Sequence, residues 1–398
     1  DNFIEIAGLS AEELERLLDP ERFAEWMVFL HPEQRRIANA TFKNRALLTG
    51  VSGSGKTCVL VHRAKFLAEK YPDEQIGILT LNRSLSRLID NLVTQLCGAD
   101  NRANIKVYAF YDYFKQLVDH FAPKEELKNL HKIALEMPDI GPDVMRTIAR
   151  VDPATYARDF DPLNGETIDD CYGLFHEQPQ AKTKHVYFCD ALFPKDPYID
   201  PESYLREEFS LIRSGCLTEN REEEYFALKR EGRAIALNKR ERRNILELLL
   251  LFEETMISGG IIDELGLTLA VTPHMQALSD LPADLSFRCL LVDEFQDLST
   301  RDIAVLQNSV PQKDDALFLT GDMVQQVMVK TLSLPKLGFL AGSYDREHIT
   351  KNYRNSKNIL LAANNLILEY GRIAHEQNAE IEVLDPEFAI RETIWPRA

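Results

Sequence analysis

Short apolar runs alternate with segments of helical periodicity in the first third of the chain. The runs at 46–50, 75–81 and 104–110 are continuous and lie between polar stretches, which predicts buried strands. Apolar positions recur at helical spacing over 56–71 and 84–96, which predicts two helices. Because the two patterns alternate, the sequence favours a parallel sheet with helices packed on its faces.

The alternation stops near residue 115 and resumes near residue 285. The stretch between is long, charged and mostly helical, with clear helical patterns at 203–215 and 238–258. Residues 185–201 hold three prolines and predict an irregular loop. Apolar runs at 289–294 and 316–322 then predict two further strands. One sheet domain is therefore predicted to be interrupted by a helical insertion.

Five segments follow from this pattern. A helix at 9–30 belongs to the first segment, a helix opened by Pro32 to the second, and a helix at 300–309 to the fourth. The segments are an N-terminal approach segment (1–29), the first part of the sheet domain (30–115), the insertion (116–284), the second part of the sheet domain (285–345), and a new segment (346–398) with a helix at 356–370 and a strand at 380–384.

Composition and charge exclude several classes of protein. The 398 residues carry 46 Lys and Arg against 63 Asp and Glu, a net charge of −17, which argues against a uniformly basic nucleic-acid coat but leaves a local basic channel open. The longest apolar run, 248–252, is too short to span a bilayer, so we expect no membrane partner. Six cysteines without a CxxC spacing favour reduced thiols in a cytoplasmic protein. Since the chain starts with Asp1, we expect the whole protein to extend upstream.

A phosphate-binding motif stands between the first predicted strand and the helix after it. The eight residues from Gly50 to Thr57 read GVSGSGKT and fit the pattern G-x-x-x-x-G-K-[ST]. Glycines let backbone N–H groups turn towards phosphate oxygens, and the helix N-terminus adds positive partial charge. We expect Lys56 to reach the β and γ phosphates of ATP and the Thr57 hydroxyl to bind Mg²⁺. The remaining predicted phosphate contacts are Gly50, Ser52, Gly53, Ser54 and Gly55.

Acidic and amide side chains follow the two later strands. Asp293 and Glu294 end one strand, where Asp293 is placed to hold Mg²⁺ and Glu294 to deprotonate an attacking water. Gln325 follows the next strand and is placed to sense the γ phosphate or position that water. The acidic pair favours hydrolysis over phosphoryl transfer to another substrate. With the motif at 50–57, these residues predict an α/β P-loop NTPase with a RecA-like parallel sheet.

Five ordered motifs resemble those of superfamily 1A helicases of the UvrD/Rep type. They are the Q-motif-like run 30–35 (LHPEQR), the P-loop, 293–297 (DEFQD), 321–325 (GDMVQ) and 352–356 (NYRNS). The resemblance implies an ATP-dependent DNA helicase whose core moves on single-stranded DNA, with 3′ to 5′ polarity expected. Residues 204–243 resemble the helical insertion of that family, called domain 1B, while 346–398 would open its domain 2A.

The same resemblance implies roles for individual residues. Gln34 would read the adenine edge, Tyr353 would stack on adenine, and Arg354 would act as an arginine finger. The single strand would be contacted by residues of two further motifs: Thr80, Asn82, Phe110 and Tyr111. Because the later motifs of the family do not follow residue 360, we expect residues 1–398 to bind nucleotide but to hydrolyse it slowly.

Several alternatives stay open from sequence alone. Aromatic residues between 110 and 114 fit either bases or the core equally well. The basic stretch at 229–243 is interleaved with glutamates and fits a solvated helix face somewhat better than a phosphate track. The protein could instead be a nucleotide-gated remodeler that grips a protein partner through its insertion. RNA also stays open as the strand.

Overall fold

The computed structural model describes most of the predicted sheet domain and parts of the insertion. The described residues are 30–97, 99–121, 181, 198, 200–217, 220–228, 230, 233, 235–258, 263–322, 332–340, 343–349, 352–356 and 389–391. Most of the predicted helix at 9–30 and of the loop at 185–201, the helix at 356–370 beyond Ser356, and the strand at 380–384 lie outside these residues.

The first part of the chain alternates strand and helix as the sequence predicts. In order, the elements are α1 (Pro32–Ala38), β1 (Arg45–Gly50), α2 (Lys56–Lys70), β2 (Ile76–Thr80), α3 (Arg83–Leu96), α4 (Ala99–Ala103), β3 (Ile105–Ala109) and α5 (Phe110–Phe121). The strands form because apolar side chains fill the sheet interior, and every residue of β2 is buried. Helix α5 begins at Phe110, directly after β3, so the predicted strand at 104–110 runs one residue too far.

The described part of the insertion is helical. It contains α6 (Pro201–Gly215), α7 (Arg221–Ala227) and α8 (Lys239–Ser258), followed by α9 (Glu264–Val271) and a 3₁₀ helix, Thr272–Asp280. These helices confirm the predictions at 203–215 and 238–258. Helices α6 to α8 enclose a separate hydrophobic cluster that includes Phe209, Ile212, Leu248 and Phe252. The insertion therefore has a core of its own beside those of the sheet domain.

The chain then returns to the sheet. The remaining elements are β4 (Cys289–Val292), a 3₁₀ turn (Phe295–Asp297), α10 (Thr300–Asn308), β5 (Leu317–Gly321), a 3₁₀ turn (Pro335–Leu337), β6 (Asp345–Ile349), β7 (Asn352–Ser356) and β8 (Ala389–Arg391). Six strands form one sheet in the order β3-β2-β4-β5-β1-β6, and every pairing within it is parallel. This arrangement confirms the α/β fold with a parallel sheet.

The end of the sheet domain differs from the predicted boundary at 345/346. Strand β6 pairs in parallel with β1, so residues as far as Ile349 belong to the first sheet. The boundary was placed too early because β6 reads Asp-Arg-Glu-His-Ile and lacks the apolar run of a central strand. Strands β7 and β8 form a separate parallel pair.

Because the six strands are parallel, their carboxyl ends share one edge of the sheet. The motifs that the sequence singles out follow β1, β2, β4 and β5 at this edge. Ligands of open α/β sheets bind outside the carboxyl ends of the strands. Among the described helices, none combines the length and the apolar character needed to cross a bilayer.

Candidate active site

The loop between β1 and α2 has the backbone geometry of a phosphate cradle. Gly53 and Gly55 both have φ of +82°, a left-handed conformation that residues with a Cβ atom rarely adopt. A Cβ atom at residue 50 would lie 2.8 Å from the carbonyl oxygen of Ile349, so a glycine is needed where β6 passes the loop. The glycines of the motif therefore serve both its turn and its packing.

Lys56 opens α2 and turns its ammonium group back onto the loop. Its Nζ donates to the carbonyl oxygen of Gly50 at 2.6 Å and to that of Val51 at 3.2 Å. The residue is only 7% exposed. The arrangement places a buried positive charge at the mouth of the loop, where a phosphate would compete with the carbonyl oxygens for it.

Asp293, which follows β4, is held from two sides by hydroxyl groups. Thr57 Oγ1 donates to Asp293 Oδ2 at 2.8 Å, and Thr320 Oγ1 donates to Asp293 Oδ1 at 2.7 Å. Asp293 is 2% exposed. Thr320 lies on β5, between β4, which Asp293 follows, and β1, which precedes the loop leading to Thr57. The predicted pair Thr57 and Asp293 is thus brought together, and sequence reasoning missed Thr320.

The charge of the Asp293 carboxylate is compensated only in part. Burial and the adjacent charge of Glu294 raise the pKa of Asp293, and the hydrogen bonds from Thr320 and Thr57 together with the charge of Lys56 do not fully offset this. Among the described residues, no group of three or more His, Cys, Asp or Glu side chains could hold a metal ion. A cation at Asp293 would therefore depend on Thr57 and on oxygen atoms from a bound nucleotide, which is the usual environment of Mg²⁺.

Glu294 occupies an unusual backbone conformation. Its φ and ψ are 53° and 44°, in the left-handed region, which costs a residue with a Cβ atom about 1–3 kcal/mol. This conformation ends the extended backbone of β4 and leads into the 3₁₀ turn Phe295–Asp297. The carboxylates of Asp293 and Glu294 consequently diverge from the end of β4 and contact different partners.

Gln296 joins Glu294 to the end of the neighbouring strand. Its Nε2 donates to Glu294 Oε2 at 2.7 Å, while its Oε1 accepts from the backbone N–H of Asp322 at 3.0 Å. The side chain is 2% exposed. Gln296 belongs to the motif at 293–297, but its contacts depend on the order of the strands, which is not visible in a single sequence.

Gln34 contacts the phosphate-binding loop. Its Nε2 donates to the carbonyl oxygen of Ser54 at 2.7 Å, and its Oε1 accepts from the backbone N–H of His31 at 2.8 Å. A Cβ atom at residue 55 would lie 2.5 Å from the Gln34 Nε2 atom. One N–H of the amide is therefore committed to the loop, and its predicted contact with adenine stays a prediction.

The predicted strand contacts divide into exposed and buried residues. Asn82 is exposed and caps α3, because its Oδ1 accepts from the backbone N–H of Leu85 at 2.9 Å. Thr80 is 1% exposed, and its hydroxyl has no hydrogen-bond partner among the described residues. Both lie at the carboxyl end of β2, two strands from β5.

Phe110 and Tyr111 require a correction. They are 1% and 8% exposed and belong to the main hydrophobic cluster, where the Phe110 ring lies 4.4 Å from that of Phe114. Burial, with the charge of Glu264 next, raises the pKa of Tyr111. Rings enclosed in this way present no face to a base, so they serve the core, which was the second of the two readings from sequence.

The residues expected from the far side of the cleft are only partly described. Tyr353 and Arg354 lie on strand β7, whose backbone pairs with β8. Gln325 lies outside the described residues. The predicted roles of these three residues stay predictions.

Part of the basic stretch of the insertion turns inward. Arg230 donates to Glu208 through Nε at 2.5 Å and through Nη2 at 2.8 Å, and Arg233 Nε donates to the same carboxylate at 3.1 Å. The side chains of Arg230 and Arg233 are 5% and 6% exposed, and that of Glu208 is fully buried. Arg243, by contrast, pairs with Glu222 at the surface. Two of the predicted basic residues are therefore internal ion-pair partners, neither a solvated face nor a phosphate track.

Comparison with known proteins agrees with this geometry. The family model described as UvrD/REP helicase N-terminal domain matches residues 30–328, which is most of the 398-residue chain. The matched range begins at the Q-motif-like run and includes the first part of the sheet domain, the insertion, and the second part of the sheet domain through β5. No curated protein gives a significant match to the sequence.

Proposed function

The chain belongs to the UvrD/REP helicase family, and from this premise we propose that it is an ATP-hydrolysing motor that moves along single-stranded DNA. The observation that carries the proposal is the meeting of Lys56, Thr57, Asp293 and Glu294 at one edge of the sheet. Helicase, nucleotide-binding and hydrolase functions follow from the family. The coupling to ATP, the single strand and the 3′ to 5′ polarity are our proposals.

The phosphates of ATP would lie over the loop at 50–55. Lys56 exchanges its two carbonyl acceptors for phosphate oxygens, with which a charge-assisted hydrogen bond is stronger. Thr57 and Asp293 fit Mg²⁺, because a hard cation prefers oxygen ligands and Asp293 is a buried carboxylate whose charge the protein compensates only in part. When bound, Mg²⁺ would supply positive charge to the phosphate oxygens during the reaction.

Glu294 acts as the general base in hydrolysis. A water oxygen attacks the γ phosphorus, the bond from that phosphorus to the β–γ bridging oxygen breaks, and a proton of the water passes to the Glu294 carboxylate. The products are ADP and inorganic phosphate. Glu294 is suited to this role because it is partly exposed beside the fully enclosed Asp293.

The remaining nucleotide contacts come from both sides of the cleft. Gln34 reads the adenine edge with the amide N–H that the loop does not use. Tyr353 stacks on the base, Arg354 stabilises charge on the transferred phosphoryl group, and Gln325 senses the γ phosphate. These roles rest on the resemblance of the motifs at 30–35, 321–325 and 352–356.

The single strand would cross the sheet edge beyond β2. Asn82 is exposed there and can meet the strand, whereas Thr80, which is 1% exposed, is enclosed in the same way as Phe110. A change in the grip on the strand between nucleotide states then produces movement.

The test compares Glu294→Gln with the protein of natural sequence and with Glu254→Gln, an exposed residue of α8. Glu294→Gln should bind ATP–Mg²⁺ with unchanged affinity by calorimetry but lose about 10²–10⁴-fold in phosphate release, because an amide cannot accept the proton of the water. Glu254→Gln should match the natural protein in both. Turnover at the natural rate in Glu294→Gln would place the base elsewhere.

A second candidate is a nucleotide-gated remodeler of a protein or protein–RNA complex. Its support is the insertion, whose Arg230 and Arg233 are consumed by Glu208 and so offer no phosphate track. Adding single-stranded DNA, single-stranded RNA or neither to the ATPase assay separates the candidates. A DNA motor is stimulated by DNA, whereas a protein remodeler is stimulated by neither strand.

A further inference from the structure

The side chain of Gln296 spans two neighbouring strand ends. Its Nε2 donates to Glu294 Oε2 at 2.7 Å, and its Oε1 accepts from the backbone N–H of Asp322 at 3.0 Å. The orientation of the amide is determined by these partners, because a backbone N–H only donates and a carboxylate only accepts. Gln296 is thus a bridge of fixed polarity between β4 and β5.

The surrounding residues make room for this bridge. A Cβ atom at residue 321 would overlap the Oε1 atom of Gln296 and collide with the Phe295 ring, so Gly321 admits the amide against the β5 backbone. Gln296 is 2% exposed, which keeps water from competing for either hydrogen bond. The left-handed backbone of Glu294, with φ of 53°, directs its carboxylate back towards the amide two residues later.

We propose that Gln296 is a positioning residue for hydrolysis. It orients the Glu294 carboxylate and links it to the backbone at the end of β5. This inference rests on the proposed function, in which Glu294 is the base. Donation to Oε2 fixes the plane of the carboxylate and leaves Oε1 to accept the proton of the attacking water. The bond to Asp322 ties the same carboxylate to the segment that leads to Gln325.

An amide is the chemical group that this position requires. Glutamate at 296 keeps an acceptor for the Asp322 N–H but loses the donor and places a second negative charge against Glu294. Methionine has a similar shape and loses both hydrogen bonds. The two variants therefore separate the contact with the base from the contact with the neighbouring strand.

The experiment measures ATP hydrolysis with saturating single-stranded DNA for Gln296→Glu and Gln296→Met, together with melting temperature. In both variants kcat should fall about 10- to 100-fold, a part of the about 10²–10⁴-fold that a general base supplies. The KM for ATP and the affinity for a non-hydrolysable ATP analogue should stay within about twofold. Gln296→Glu should melt at a lower temperature than Gln296→Met, because it buries a second negative charge beside Glu294.

A double-mutant cycle with Glu294→Gln tests whether Gln296 acts through the base. Adding Gln296→Met to Glu294→Gln should leave the residual rate unchanged, since the base is already absent. A further drop of the same factor would overturn the inference, and so would natural kcat in both folded single variants. If Glu294→Gln hydrolyses ATP at the natural rate, the proposed function fails, because Glu294 is then not the base. If Glu294→Gln is impaired but the Gln296 variants are not, only the inference about Gln296 fails.

Discussion

Two buried aspartates lie at opposite ends of neighbouring strands, and the protein compensates their negative charges to different extents. Asp315 precedes β5 at the amino end of the sheet, and Asp293 follows β4 at the carboxyl end. Their residues are 1% and 2% exposed. Burial of a carboxylate is costly unless positive charge and hydrogen bonds replace water, so each site shows how its charge is met.

The Asp315 carboxylate is fully compensated by the protein. Arg63 Nη2 donates to Oδ1 at 2.7 Å, Lys70 Nζ to Oδ2 at 2.8 Å, and the backbone N–H of Phe42 to Oδ1 at 2.8 Å. Burial would raise the pKa of Asp315, but the hydrogen bonds from Lys70 and Phe42 and the charge of Arg63 outweigh it and lower the pKa. This cluster ties the loop after α1 to the sheet.

The Asp293 carboxylate receives two hydroxyl hydrogen bonds and has another carboxylate next to it, so its pKa is raised. The difference between the two aspartates separates structure from function. Where the protein supplies the positive charge, the acid holds the fold together. Where the compensation is incomplete, the site fits the cation that the proposed function places there.

The largest effect on stability is expected from removing Arg63, the fully buried cation beside Asp315. Arg63→Met leaves a buried carboxylate without its main partner and should lower the free energy of unfolding by about 3–5 kcal/mol in urea titrations. The matched control is Asp314→Asn, an exposed neighbour, which should stay within about 0.5 kcal/mol. Stability within about 1 kcal/mol of the natural protein for Arg63→Met would mean that Lys70 alone satisfies Asp315.

The next largest effect is expected on turnover, from replacing Asp293, whose charge the protein compensates only in part. Asp293→Asn should reduce Mg²⁺-dependent turnover about 10²–10³-fold, because a bound metal ion contributes several kcal/mol to the transition state. Without nucleotide, the melting temperature of Asp293→Asn should equal or exceed the natural value, since the variant removes a buried charge that the protein compensates only in part. A clear fall in melting temperature would contradict the contrast with Asp315.

A smaller effect should follow from removing one hydroxyl that orients Asp293. Thr320→Val keeps the shape of the side chain but loses the donor to Oδ1. The Mg²⁺ concentration for half-maximal ATPase activity should rise about tenfold, the lower end of what outer-shell partners of metal ligands contribute. Thr255→Val, which removes a hydroxyl that donates to the carbonyl oxygen of Leu251 within α8, should leave this concentration unchanged. An unchanged midpoint in Thr320→Val would assign the hydroxyl to packing alone.

The smallest effect concerns acid stability. Since the folded state lowers the pKa of Asp315 below its ordinary 3.8, the unfolded chain takes up the proton more readily. The stability from this site is present above about pH 4 and is lost as the pH falls through the folded pKa. Between pH 3 and 5, the free energy of unfolding should change less with pH in Asp315→Asn than in Asp314→Asn. Equal slopes in the two variants would exclude Asp315 as the source of the pH dependence.

Most of the sheet could be predicted from the sequence, because its central strands are continuous apolar runs. Strands β1, β2, β4 and β5 are almost entirely buried, and burial on both faces leaves a strong signal. The edge strand β6 was missed because its exposed side permits polar residues, Arg346 and His348, in place of a continuous apolar run. The three-residue strand β8 is too short to carry any periodic signal.

The site was predictable where a motif is contiguous and not where it depends on strand order. Lys56, Thr57, Asp293 and Glu294 stand in local motifs. Thr320 and Gln296 act because β5 lies beside β4, a fact that no single sequence states. The same applies to Arg230 and Arg233, whose partner Glu208 is more than twenty residues away in the chain.

The pairing of β6 with β1 has a mechanical consequence. Only Thr350 and Lys351 connect β6, which is hydrogen-bonded beside the strand that carries the phosphate loop, to β7 with Tyr353 and Arg354. Three Cα–Cα steps of about 3.8 Å limit the distance between Ile349 and Asn352 to about 11 Å. While β6 stays paired with β1, the start of β7 therefore remains within this distance of Ile349.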